Sequence, residues 1–89
     1  MKLFLYSVLD TTAESFATPF LVINDGLAKR SFRALCSDPM SMVAKSPADF
    51  YLYKIGVFET DNGTLDPIIP SSIYSGIDAV RSLSGDSAN

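Results

Sequence analysis

Histidine and tryptophan are absent from this 89-residue chain, and cysteine occurs once, at Cys36. Without histidine the chain lacks the usual general base near neutral pH and the commonest transition-metal ligand. One cysteine excludes an intramolecular disulfide and any zinc cluster built from thiolates. Long hydrophobic runs are missing too. No stretch of ~18 apolar residues occurs, so no membrane span is expected. Charged residues are scarce at 19%, against 47% hydrophobic, a balance too apolar for a disordered tail. The length allows a single compact domain, expected over residues 1–83, with 84–89 as a mobile tail.

The hydrophobic pattern is mixed. Residues 2–9 alternate as a strand, with Phe4, Tyr6 and Val8 on one face and Leu3, Leu5 and Leu9 on the other. The short apolar run in Met1–Leu9 is interrupted by Tyr6 and Ser7, so it reads as this strand and not as a targeting signal. Residues 10–15 are polar turn formers, and Pro19 opens a second strand over Phe20–Ile23. Asn24-Asp25-Gly26 starts a helix. Ala28, Phe32, Leu35 and Cys36 recur at helical spacing, and Asp38-Pro39 stops the helix after Ser37. Residues 40–45 allow a further turn or two, with Met40, Met42 and Val43 expected as core filler.

Phe50–Glu59 is the strongest strand in the chain. Alternation groups Tyr51, Tyr53, Ile55 and Val57 on one face and Phe50, Leu52, Lys54 and Phe58 on the other, with Gly56 hinting at a bulge. Asp61-Asn62-Gly63 closes a hairpin onto a return strand over Thr64–Ile69. A weak helical stripe of Ile73, Ile77, Val80 and Leu83 follows. The fold class is therefore α+β: an antiparallel sheet of about four strands in β-β-α-β-β order, one main helix packed on a face, and a weak C-terminal helix. A single helix leaves the other sheet face uncovered, which makes a homo-oligomer the expectation.

No catalytic constellation emerges. Serines and threonines have no histidine to activate them. Cys36 falls on the buried stripe, where an inert core thiol is the expectation. Asp61 and Asp66 match no calcium loop, and no phosphate-binding loop is present. A non-enzymatic protein without metal or cofactor is expected. Net charge is −3, yet from Lys29 to Lys54 five cations face two acids, giving a local +3, while the rest of the chain carries −6. A basic centre reads either as a solvated helix face or as a patch for a polyanion. Aromatics interleaved with cations suit single-stranded nucleic acid, where rings stack bases and cations meet phosphates. The candidate nucleic-acid-binding residues are Lys29, Arg30, Arg33, Lys45 and Lys54, with Tyr51 and Tyr53 for stacking. The bland alternative leaves Tyr51 and Tyr53 half-exposed or in a dimer contact.

One pattern extends over roughly residues 3–66. Asp38-Pro39 is followed by Ala44-Lys45-Ser46-Pro47-Ala48-Asp49-Phe50, by Leu52-Tyr53-Lys54-Ile55-Gly56-Val57-Phe58 and by Asp61-Asn62-Gly63. Leu5-Tyr6-Ser7-Val8-Leu9-Asp10, Pro19-Phe20 and the Ala28 and Phe32 helix precede them. In order and spacing this resembles a small nonstructural protein of gokushoviruses, single-stranded DNA bacteriophages of the microvirus group. The resemblance implies action in the host cell cytoplasm, a reducing compartment that suits one free cysteine. It also implies single-stranded DNA binding that aids the switch to single-stranded genome synthesis or packaging. The rival expectation is a protein–protein adaptor that binds the phage replication initiator or procapsid without touching DNA.

Overall fold

Antiparallel pairing around one central strand organises the computed structural model, which describes residues 1–83. The tail expected at 84–89 lies outside the described residues. In chain order the elements are β1 (Lys2–Asp10), β2 (Ser15–Phe16), β3 (Phe20–Val22), α1 (Asp25–Ser37) and α2 (Met42–Lys45), then a 3-10 turn (Pro47–Asp49), β4 (Phe50–Glu59), β5 (Leu65–Ser75) and α3 (Gly76–Leu83). Strand β1 pairs with both β2 and β3 along one edge and with β4 along the other, and β5 adds beyond β4. The α+β class and the antiparallel sheet thus stand, with a two-residue β2 added to the expected strands. Asp10 shapes the turn into β2 by accepting from the backbone N–H groups of Thr12 and Ala13 at 3.0 and 3.2 Å.

The three helices lie together on one side of the sheet. Ala28, Phe32 and Cys36 form the buried stripe of α1, and they meet Tyr6, Val8, Phe50 and Leu52 from β1 and β4. Tyr6, Phe32 and Leu52 are fully buried; each such side chain contributes about 1.5–3 kcal/mol by leaving water. Leu35, expected on this stripe, is 39% exposed at its flank. Met40 and Met42 depart further from expectation, being 83% and 63% exposed. The reason is geometric: α2 is a single turn capped by Ser41 and aims only Val43 inward.

Two local features shift the strand register. Leu5 pairs with Gly56 but Tyr6 pairs with Lys54, so Ile55 is an extra residue in β4. The bulge reverses the alternation beyond it. Val57 joins the helix-covered face opposite Phe4, and Phe58 joins the open face opposite Leu3, the reverse of the simple pattern. Gly56 permits this, because a Cβ there would press on the Asp66 carbonyl at 3.2 Å. The second feature is the length of β5, which runs on to Ser75 and takes Ile73 and Tyr74 into the sheet. Ser75 then caps α3, its Oγ accepting from the Asp78 N–H at 3.0 Å. The C-terminal helix is present as expected and opens at Gly76.

Gly76 is also where α3 touches the 3-10 turn, and a Cβ there would fall 2.0 Å from the Pro47 carbonyl oxygen. That atom belongs to backbone and cannot rotate away. Gly76→Ala should cost at least ~3 kcal/mol, lowering the thermal midpoint by ~10–20 °C. Gly26→Ala, whose Cβ meets only Asn24 Oδ1 at 3.3 Å, should stay within ~1 kcal/mol of the parent. Thermal and urea unfolding of the two variants checks both.

Candidate nucleic-acid interface

Helix α1 is seated by its first turn. Asn24 Oδ1 accepts from the Leu27 N–H at 2.9 Å, closing the helix start. Asp25 follows, and its Oδ1 accepts from the Tyr6 hydroxyl at 2.5 Å and from Lys54 Nζ at 3.1 Å. The Lys54 ammonium also lies over the Phe4 ring, 4.0 Å from its centroid. One carboxylate therefore ties α1 to both central strands. The Tyr6 hydrogen bond, with Lys54 assisting, holds the Asp25 carboxyl below its ordinary value. Burial, reinforced by Asp25, pushes the Tyr6 phenol above its ordinary range. Burial likewise raises the Cys36 thiol, which keeps it un-ionised and unreactive near neutral pH.

The five candidate cations separate into three environments. Lys54 is committed to Asp25. Lys45 stands exposed in the single turn of α2. Lys29, Arg30 and Arg33 share one flank of α1, because positions one and four apart fall within an arc of about 100° around the helix. This flank faces β5. Lys29 Nζ and the Arg33 guanidinium lie 5.4 and 5.9 Å from the centroid of the Tyr74 ring. Arg33 also donates to the Tyr74 hydroxyl at 3.4 Å. The ring rests in turn on Phe32 at 5.9 Å, so a core residue fixes the platform that positions both cations. Arg30 is exposed beside them.

Tyr51 and Tyr53 do not join this group. They alternate with the buried Leu52 and so occupy the opposite sheet face, paired in register with Leu9 and Ser7. Both are half-buried, and Tyr53 meets Phe16 edge to face at 5.3 Å. The structure thus divides the proposed stacking residues from the helical cations by the thickness of the sheet. The aromatic that does stand with the cations is Tyr74, which sequence reading passed over. Its position in β5, across from Leu52, was masked by an apparent helical spacing from Ile73 onward.

On the other flank of α1 an apolar groove runs past Val8, Phe20 and Leu35, with cavities of about 380 and 340 Å3. Among the described residues no set of three or more His, Cys, Asp or Glu side chains is placed to hold a metal ion. No helix among them is long and apolar enough to cross a membrane.

The family model described as Phage ORF5 protein aligns with residues 3–79, most of the chain. The chain belongs to the Phage ORF5 protein family. No curated protein and no solved structure matches it. The aligned span includes both the Asp25 clamp and the basic flank of α1.

The clamp has a definite pH signature. Asp25 has a folded-state pKa below its ordinary 3.8, so the ionised clamp stabilises fully above that pH. Its contribution is lost as pH falls below 3.8 through the depressed value. Tyr6→Phe should cost about 1–2 kcal/mol at pH 7, at the low end for a charged hydrogen bond because the Asp25 side chain is 44% exposed. Urea unfolding from pH 7 to pH 3 should show the gap between the parent and Asp25→Asn narrowing toward acid.

Proposed function

We propose that this protein is non-enzymatic and binds single-stranded DNA along the basic flank of α1. The observation that carries the reading is the arrangement of Lys29 and Arg33 on the Tyr74 ring, one helical turn apart, with Arg30 beside them. Among the described residues none of the three forms an ion pair. They remain available to phosphate oxygens, and the ring limits the rotamer freedom that binding would otherwise have to freeze. Four residues of helix advance about 6 Å, the scale on which successive phosphates of an extended strand follow one another. Membership of a phage family supports a role in the infected cell. The resemblance to gokushovirus nonstructural proteins supports the finer assignment, help in turning replication toward single-stranded genome synthesis or packaging in the host cytoplasm.

In this reading phosphate contact dominates and base stacking is secondary. Tyr74 already carries two cations, and Tyr51 and Tyr53 face away. Lys54 plays a structural part, and Lys45 supplies at most a peripheral contact. Affinity for a single-stranded oligonucleotide should fall steeply with salt, each neutralised phosphate adding ~0.7 to the logarithmic slope. Replacing Lys29, Arg30 and Arg33 together with alanine should flatten that slope by about 2. Lys54→Ala should leave the slope unchanged while lowering stability. A fluorescence-anisotropy titration at several salt concentrations, with duplex DNA in parallel, measures this. Absence of binding at low salt, or a slope that the triple replacement leaves intact, removes the proposal.

A further inference from the structure

The sheet face away from the helices is largely apolar, with Ser7, Ser72 and Ser75 as its small polar positions, and holds no charged residue in register. Leu3, Leu5 and Leu9 of β1 align there with Phe58, Gly56 and Tyr51 of β4. Leu21 of β3 lies opposite Leu5, and Leu65 of β5 lies opposite Phe58. Leu21 and Leu65 are 44% and 60% exposed. The charged residues of these strands fall on the other side. Asp10 pairs with Phe50, Lys2 with Glu59, and Asp66 with Val57, all in phase with the helix-covered face.

We infer that this face is the contact between two copies of the chain, packed sheet against sheet. Charge is the first argument. Each copy carries −3, and an isologous contact sets every patch against itself. The uncharged open face is the part of the sheet that can do so without opposing like charges, and it offers a charged peptide or polyanion nothing to pair with. Area is the second argument. Nine β1 positions pair with β4, which makes the face about 30 Å long, and four strands abreast make it about 19 Å wide. Two copies then bury about 1,100 Å2 before side-chain relief is added, which clears the ~1,000 Å2 expected of a biological interface. The third argument is the edge. Strand β5 pairs only with β4, but Pro67 and Pro70 remove donors from it and register shifts interrupt it, so edge-to-edge extension is disfavoured. A cavity of about 210 Å3 at the Gly56 bulge, lined by Leu5, Ile55, Leu65 and Pro67, gives a side chain from the second copy a place to insert.

The test needs no DNA, so it succeeds or fails apart from the DNA-binding reading. Sedimentation or light scattering of the full chain should give twice the 9.6 kDa protomer mass. Leu21→Glu and Leu65→Glu alter side chains already exposed in the protomer, so circular dichroism should stay native. Each places two carboxylates in the contact and should raise the dimer dissociation constant ~100-fold or more. Met40→Glu, at a residue 83% exposed on α1's side of the sheet, should leave the dimer intact. A parent protein that stays monomeric up to ~100 μM would exclude a second copy as the occupant. A dimer untouched by both glutamate replacements would exclude this face.

Discussion

The seating of α1 depends on one shared carboxylate oxygen. Asp25 Oδ1 receives the Tyr6 hydroxyl from β1 and the Lys54 ammonium from β4. Those strands are neighbours, and Tyr6 and Lys54 are register partners. The helix is thus pinned where the sheet is already most constrained. Once the first turn is fixed, the spacing of Ala28, Phe32 and Cys36 sets the helix rotation, because only that stripe can be buried. The rotation then determines everything exposed on α1. Lys29 and Arg33 come to rest over Tyr74 on one flank, and Leu35 borders the apolar groove on the other. A different rotation would carry the cations off the ring and leave them as ordinary solvated side chains.

The same clamp explains why cations close in sequence do not form one patch. Lys54 sits on the helix-covered face of β4 and would be a half-buried charge without a partner. Asp25 neutralises it, and the Phe4 ring accepts the remaining field of the ammonium. What is left for a polyanion is a short ridge of three residues on an anionic molecule. At ~0.1 M salt the screening length is ~10 Å, so the overall −3 weakens attraction at long range but matters little once phosphates touch the ridge. Such a surface gains little from electrostatic steering. On the proposed reading, its affinity for a polyanion would reside in how slowly the contacts come apart.

Much of this is legible in the sequence. Asn24-Asp25-Gly26 marked the start of α1, Asp38-Pro39 marked its end, and the two faces of β1 followed from alternation, all because short-range sterics and capping decide them. The exposure of Met40 and Met42 was not legible, since it depends on how little of α2 the core can reach. Nor were the faces of Val57 and Phe58, because one extra residue at Ile55 reverses the phase and alternation alone cannot place it. The grouping of functional side chains was hardest. Tyr74 meets Lys29 and Arg33 only after β5 has extended past two prolines, and Lys54 meets Asp25 only after β1, α1 and β4 have assembled. Those are long-range events, and no local pattern encodes them.

The two proposed surfaces lie on opposite sides of the same sheet, and that placement has a consequence. If two sheets pack face to face about 10 Å apart, each copy's helical layer becomes an outer layer, and the two basic ridges point away from each other. The separation between ridges is then about 30–40 Å, from two helix–sheet spacings of ~10 Å each plus the inter-sheet gap and the ridge side chains. One short strand segment cannot touch both. A longer strand can reach the second ridge by looping around the particle, and the second contact then forms at the effective concentration set by the loop. A flexible single strand meets that condition easily, whereas duplex DNA resists such a tight bend over so short a span. Preference for single strands would therefore arise from the geometry of the pair, without any residue that recognises an unpaired base.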